Sequence, residues 1–227
     1  MSDNVISLKK EKEAGVSQKM EKFLSKNRVA ILCVFIVLVL GTAGFCVYSI
    51  IKDSTLKKEL NAIYLIEKEY VANSEDLSEE DTVKKQGAAL EALLPYVSKK
   101  GIVGARSNLL AGDIALAKQD FANALTYYVQ AADADKKSYI APLGYYNAGV
   151  VSEELGKNEE AAGYYQAAAD YADFVNATHA LFNIARIKET SGDTAGAKEV
   201  YQKIVDSYSE INDEWVKLSN TKLITLE

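Results

Sequence analysis

The side chains of this sequence that could do chemistry do not form a catalytic set. His179 is the only histidine, so a metal site built from several histidines is excluded. The adjacent carboxylates Glu153–Glu154 and Glu159–Glu160 are typical of solvated helix faces rather than of a tuned acid–base pair. The sequence has no glycine-rich phosphate-binding loop. We therefore predict a protein that is not an enzyme and that binds no cofactor and no metal.

Two amide side chains indicate a binding chemistry instead. Asn147 and Asn183 stand 36 residues apart. A carboxamide both donates and accepts hydrogen bonds, so it can hold the backbone of an extended polypeptide whatever side chains that polypeptide carries. The spacing would place both amides at one position of successive structural units. The alternative, that two polar helix residues coincide, stays open.

A repeated pattern of small and aromatic residues surrounds these amides and predicts the elements that position them. Its period of 36 to 37 residues is typical of helical solenoids whose units are helix pairs. Small contact residues allow two antiparallel helices to approach to about 8–10 Å, and an aromatic ring one turn further along can fill the gap to the next unit. The repeated residues are Gly112, Gly149 and Ala185, then Ala124, Ala161 and Ala197, then Tyr128, Tyr165 and Tyr201.

Short polar turns separate the two helices of each predicted pair. Gly156 and Gly192 suit the left-handed conformation that follows a helix. Asn158 and Thr194 suit the cap of the next helix. Pro142 is predicted to begin the first helix of the second unit, where a missing amide is tolerated.

Three segments resemble tetratricopeptide repeats: Arg106–Ser138, Pro142–Val175 and Thr178–Ile211. That family places small residues at the eighth, twentieth and twenty-seventh positions of a unit and an aromatic residue at the twenty-fourth. The last unit departs from the pattern at Ile204, which is large where the third small residue is expected. The units are also two or three residues longer than the usual spacing. The resemblance implies an all-α, right-handed helical solenoid.

The resemblance also implies a binding groove, because the first helix of each tetratricopeptide unit lines the concave surface. Asparagines at the position of Asn147 and Asn183 resemble groups that hold peptide backbone, and Tyr146 and Phe182 lie beside them as apolar contacts. The basic clamp for a terminal carboxylate is incomplete, because Arg186 has no matching lysines. The groove residues implied are Arg106, Leu109, Asp113, Tyr146, Asn147, Val150, Glu153, His179, Phe182, Asn183, Arg186 and Glu189.

An uncharged run of 23 residues, 29–51, predicts a single transmembrane helix. As a helix it would be about 35 Å long, enough to cross a hydrocarbon core of about 30 Å. A cleavable signal peptide is the alternative, but its apolar region would be shorter and a small-residue cleavage site would follow. Both cysteines, Cys33 and Cys46, lie inside the run, where they are expected to be apolar filler.

The charges on either side of this run predict its orientation. Residues 1–28 hold seven lysines and arginines, and the positive-inside rule places such a basic tail in the cytoplasm. The tail is either a flexible leader or a short basic helix on the inner leaflet. Beyond residue 28 the chain has 19 basic and 28 acidic residues, a net charge of −9. This charge disfavours nucleic acid and favours protein or unfolded polypeptide as the partner.

Helical patterns flank the repeats on both sides. Two helices are predicted before them, as a neck or a degenerate first repeat, and Pro95 should kink or end the second one. After the repeats, Trp215 and Leu218 are predicted to close the last interface of a terminal helix. The predicted organisation is a tail 1–28, an anchor 29–51, a neck 52–101, three repeats 102–211 and a C-terminal capping helix 212–227.

This layout is similar to that of the YfgM-type ancillary subunits of the bacterial Sec translocon. The resemblance implies a protein of the bacterial inner (cytoplasmic) membrane with its amino terminus in the cytoplasm and its repeats in the periplasm. It further implies association with SecYEG and transfer of emerging polypeptides to periplasmic chaperones. The alternative, a structural scaffold for a cell-envelope assembly such as the division or wall machinery, stays open.

Overall fold

The computed structural model describes residues 2–72, 77–210 and 213–226, with side chains from residue 18 onward. These residues form helices and no strands, which confirms the predicted all-α class. The predicted boundary between the third repeat and the capping helix, at residues 211 and 212, lies outside them. The chain forms two compact units, Met1–Lys57 and Lys58–Glu227. The helices are α1 Ser2–Val71, α2 Glu79–Val97, α3 Gly101–Ala117, α4 Phe121–Ala134, α5 Ile140–Glu154, α6 Asn158–Ala169, α7 Ala177–Thr190, α8 Thr194–Tyr208 and α9 Glu214–Thr225.

Helix α1 continues without interruption through the predicted tail, the predicted anchor and the start of the predicted neck. No glycine or proline occurs between Lys52 and Val71, so neither of the strongest helix breakers ends the helix there. The large apolar side chains of residues 29–51 are exposed. The helix is long and apolar enough to span a membrane.

The repeat core is built from tyrosine rings that lie over glycines. A Cβ atom added to Gly112 would lie 2.6 Å from Cε1 of Tyr128, and one added to Gly149 would lie 2.7 Å from Cε1 of Tyr165. Tyr128 also packs in one cluster with Ala148 of the next unit. Each ring therefore fills space in its own helix pair and against its neighbour. A larger residue in place of either glycine would displace the ring.

The turn after the first helix of each unit uses a left-handed residue. Gly156 has a φ of +71° and Gly192 a φ of +86°, as predicted. Gln119 takes this place in the first unit with a φ of +58°, a conformation that costs a non-glycine residue about 1–2 kcal/mol. The three units thus share one turn geometry even where the glycine is absent.

The caps of the second helices differ by one residue from the prediction. Asp193, rather than Thr194, caps α8, because its carboxylate accepts a hydrogen bond from the backbone N–H of Gly196. Helix α6 follows Lys157, which makes no side-chain cap, and Asn158 is the first helical residue. At α8 the prediction was wrong because an ionised carboxylate just before the helix accepts more strongly than a hydroxyl and suits the helix dipole. At α6 it was wrong because Asn158 already lies within the helix.

Both prolines lie inside helices. Pro95 was predicted to kink or end the second neck helix, but α2 continues past it to Val97, so Pro95 does not end the helix. Pro142 is the third residue of α5, which begins at Ile140. A proline this close to a helix start is tolerated because the first amide groups have no partner within the helix.

Further helices cover the first repeat unit on its amino-terminal side. Ile63 of α1 and Leu93 of α2 are 1% and 0% exposed, and α2 packs against α3. The ammonium of Lys99 donates a hydrogen bond to the carboxylate of Glu59 at 2.6 Å. The second part of α1 and α2 thereby bury apolar residues next to the first repeat unit.

Helix α9 repeats the register of the first helices. Trp215 follows His179 by 36 residues, and Lys222 follows Arg186 by the same number. The helix packs against both α7 and α8. Trp215 lies in this contact, whereas Leu218, which was predicted to lie there too, is 44% exposed. Helix α9 therefore occupies the place of the first helix of a further unit.

Candidate functional site

The candidate site is the surface formed by the first helices α3, α5, α7 and α9, which we call the first-helix wall. Contacts between successive first helices hold it together. Most of its predicted residues are half-buried, but Asp113 is exposed, whereas Phe182 and Asn183 are each only 8% exposed. Helix α3 carries Arg106, Leu109 and Asp113; α5 carries Tyr146, Asn147, Val150 and Glu153; and α7 carries His179, Phe182, Asn183, Arg186 and Glu189.

Glu153 is the centre of a polar contact between the second and third units. Its carboxylate accepts one hydrogen bond from the hydroxyl of Tyr165 and another from the guanidinium of Arg186, each at 2.7 Å. Burial, together with the neighbouring carboxylate, raises the pKa of Tyr165, so the hydroxyl stays protonated and donates. The side chain of Glu153 is 20% exposed. The prediction that Glu153 lies on a solvated face was therefore wrong, because a cation 33 residues away covers it.

The same contact recurs one unit further along the wall. Glu189 accepts hydrogen bonds from the hydroxyl of Tyr201 at 3.0 Å and from the ammonium of Lys222 at 2.8 Å. The hydrogen bond from Lys222 lowers the pKa of Glu189. Sequence reasoning missed Lys222 as a wall residue. Its position 36 residues after Arg186 is the pattern that could have revealed it.

Comparison with known proteins agrees with this repeated register. Models of the tetratricopeptide repeat match residues 105–138 and residues 179–210. Two segments of this chain therefore match the tetratricopeptide repeat. A TPR repeat-containing protein of Treponema pallidum (strain Nichols) is 31% identical over 139 residues, which is 61% of this chain and 57% of that relative. The chain thus matches little more than half of the relative's length. Tetratricopeptide repeats imply an adaptor for protein–protein interaction.

Three cations of the first-helix wall lie against carboxylates. Arg186 and Lys222 pair as described, and the guanidinium of Arg106 lies 3.6 Å from the carboxylate of Glu67 on α1. A clamp for a terminal carboxylate needs cations that are free to bind it. These three side chains would first have to leave their own partners, so the wall is poorly suited to that ligand.

An aromatic cluster fills the wall where α5, α7 and α9 meet. A hydrogen bond of 2.8 Å joins Nδ1 of His179 to the hydroxyl of Tyr146. The His179 ring stacks on Trp215 with ring centroids 3.8 Å apart and planes 5° apart. Burial lowers the pKa of His179, which favours its neutral form. Trp215 also covers Phe182 at a centroid distance of 5.1 Å, so Phe182 is packed against protein rather than open to a ligand.

The two predicted amides have different surroundings. The amide oxygen of Asn183 accepts a hydrogen bond of 3.5 Å from the guanidinium of Arg186, and the residue is 8% exposed. Asn147 is half-buried, and its amide is without a hydrogen-bond partner among the residues that the structure describes. Of the two, Asn147 is the amide that a ligand can reach.

Replacing Arg186 with methionine should lower the free energy of unfolding by about 1 kcal/mol, because a partly buried ion pair loses its cation while most of the packing remains. The loss should shrink at high salt, which screens the pair in the parent chain. Urea unfolding of the full chain in detergent, at low and high salt, measures both effects.

The matched control for that measurement is Lys157→Met. Lys157 pairs with Glu160 at 3.3 Å, and the two side chains are 47% and 52% exposed. Its loss should cost only about 0.3 kcal/mol. Equal effects of the two substitutions would show that the wall ion pair has no structural role.

Proposed function

We propose that this chain is a membrane-anchored repeat adaptor that binds polypeptides outside the cytoplasm, as a chaperone-like subunit associated with the translocon. In this proposal the chain lies in the bacterial inner membrane beside SecYEG. Its wall receives exported polypeptides before they reach periplasmic chaperones. The observation that carries the proposal is an accessible amide, Asn147, set among half-buried apolar residues on a tetratricopeptide wall.

The chemistry of the wall favours polypeptide as the ligand. An amide that donates and accepts can bind the backbone of an extended chain without regard to its sequence. Leu109 and Val150 are half-buried apolar contacts on neighbouring first helices. A nucleic acid would need free cations for its phosphates, and Arg106, Arg186 and Lys222 are already paired.

The apolar run of α1 supports attachment to a membrane. Its large apolar side chains are exposed over residues 29–51, which is costly in water and favourable in hydrocarbon. Lys26 and Arg28 directly precede it. The positive-inside rule then puts the amino terminus in the cytoplasm and the repeats on the other side.

Photocrosslinking in cells tests the ligand. A photoreactive residue at Val150 should capture many different exported polypeptides during their synthesis, and the chain should copurify with SecYEG in mild detergent. The same residue at Gly163, which is exposed on α6, is the control and should capture few. Capture of one fixed partner from Val150, without SecYEG, would favour an envelope scaffold and contradict the chaperone-like role.

Cysteine labelling tests the topology. With Cys33 and Cys46 changed to serine, a cysteine at the exposed Glu199 of α8 should react with a membrane-impermeant maleimide in intact spheroplasts. A cysteine at Lys22 in the tail should react only after the membrane is opened. The reverse pattern would place the repeats in the cytoplasm and end the proposal that they meet exported chains.

A further inference from the structure

The contact between neighbouring first helices changes its chemistry along the wall. Where α5 meets α7, and again where α7 meets α9, a carboxylate of the earlier helix forms an ion pair with a cation of the later helix. Where α3 meets α5, the corresponding positions are apolar. The ion pairs are Glu153 with Arg186 and Glu189 with Lys222, and the corresponding residues one unit earlier are Leu116 and Val150. Only the later contacts are therefore closed by paired charges, and the contact between α3 and α5 keeps an apolar surface.

Two polar side chains on this apolar part of the wall have bonding capacity that the described residues do not use. Asn147 of α5 has an amide without a hydrogen bond to them. Asp113 of α3 is exposed, accepts one hydrogen bond from the hydroxyl of Tyr128 at 2.8 Å, and has no cation within ion-pair distance in the described part of the chain. Helices α3 and α5 are in direct contact, and Asp113 and Asn147 are residues of the first-helix wall on these two neighbouring helices.

The electrostatic surroundings of Asp113 leave its charge uncompensated. Protein atoms displace solvent from its carboxylate and raise its pKa, and the charge of Glu67 adds to this effect, although the hydrogen bond from Tyr128 acts against it. Arg186 and Lys222 occupy the same position of later units as Asp113. At this position the first unit therefore has an anion without a cation to pair with, whereas the third unit and helix α9 have a cation that is paired.

We propose that Asp113 and Asn147 select polypeptide segments in which a basic side chain stands beside apolar ones. Asn147 donates to and accepts from the backbone of the segment, Leu116 and Val150 contact its apolar side chains, and Asp113 pairs with its lysine or arginine. This inference rests on the proposed function and adds the chemistry of the preferred ligand to it.

The charges favour a basic ligand over an acidic one. A carboxylate in the segment would be repelled by Asp113 and Glu67 and would find Arg106, the basic residue that α3 carries, already close to Glu67. An ammonium or guanidinium would relieve the uncompensated charge of Asp113. The net charge of −9 beyond residue 28 also attracts basic segments over longer distances, more strongly at low salt.

Binding of short unstructured peptides to the full chain in nanodiscs tests the inference. Three fluorescent peptides share the same apolar residues and differ only in carrying lysine, glutamine or glutamate. The lysine peptide should bind about fivefold more tightly than the glutamine peptide, the ratio expected of a partly exposed ion pair. Asp113→Asn should abolish this ratio, and Asp113→Lys should reverse the order of the lysine and glutamate peptides. Asn147→Ala should weaken all three peptides alike.

The control variant is Glu199→Gln, which removes one negative charge from α8 and should leave the lysine preference unchanged. A helical circular-dichroism spectrum like that of the parent chain and a cooperative unfolding transition verify that the Asp113 variants are folded. A lysine preference that survives Asp113→Asn and Asp113→Lys overturns the inference and leaves the proposed function standing. Failure of every peptide to bind the parent chain would contradict the proposed function itself.

Discussion

Replacing Tyr165 with alanine is expected to lower the free energy of unfolding by about 3–5 kcal/mol, the usual cost of removing a buried aromatic ring. The ring is 1% exposed and lies over Gly149. It also packs in one cluster with Ala180 and Ile184 of the third unit. Its loss would open a cavity that touches two units. Urea unfolding of the full chain, followed by the fluorescence of its single tryptophan, Trp215, measures the change.

Two further variants serve as controls for this loss of stability. One separates the contribution of the ring from that of its hydroxyl, and the other measures the effect of removing an exposed tyrosine. Tyr165→Phe keeps the ring and removes the hydrogen bond to Glu153, so it should cost about 1–2 kcal/mol. Tyr139→Ala removes a ring that is 73% exposed and should change stability by no more than about 0.5 kcal/mol. If Tyr165→Ala were as mild as Tyr139→Ala, the ring would not be part of the core.

Replacing Gly149 with leucine is expected to lower the free energy of unfolding by about 3 kcal/mol or more, because it overpacks the helix crossing. The first atom of the new side chain would already lie 2.7 Å from Cε1 of Tyr165, and three more carbons would follow it. Helix α5 would have to separate from α6. The same urea experiment measures the loss, and circular dichroism shows whether the helices survive.

The same substitution at Gly163 is the control for this effect. Gly163 lies in α6 and a Cβ added there meets nothing within 4 Å, so Gly163→Leu should stabilise the helix by about 0.5–1 kcal/mol. Ala185 occupies the position of Gly149 in the third unit, so Gly149→Ala should fall between these results. Equal stability of Gly149→Leu and Gly163→Leu would contradict the packing account.

The fold could be predicted from the sequence because each helix pair needs a small residue where its two helices cross. These small residues recur with the period of the units. A ring such as Tyr128 needs a glycine or alanine beneath it, and this requirement is visible as a spacing without knowledge of the structure. The continuity of α1 was harder to predict. Its composition changes sharply after residue 51, but a change from apolar to charged residues does not end a helix.

The candidate site could be predicted only in part, because position in a repeat does not decide the neighbours of a side chain. Asn147 and Asn183 hold equivalent positions, yet only Asn183 has Arg186 within hydrogen-bond distance. Phe182 was predicted as a ligand contact, yet Trp215 covers it. The first difference is local, because Arg186 follows Asn183 by three residues whereas Val150 holds that place after Asn147. The second difference arises between helices, because it depends on which side chain of α9 meets α7.

Methyl NMR of the full chain in nanodiscs tests most directly whether the first-helix wall binds polypeptide. On addition of an unfolded polypeptide, the methyl signals of Leu109, Leu116 and Val150 should shift and saturate together, while Val200 on α8 should stay unchanged. Shifts at Val200 with none on α3 and α5 would place binding on the second helices. That result would contradict the account.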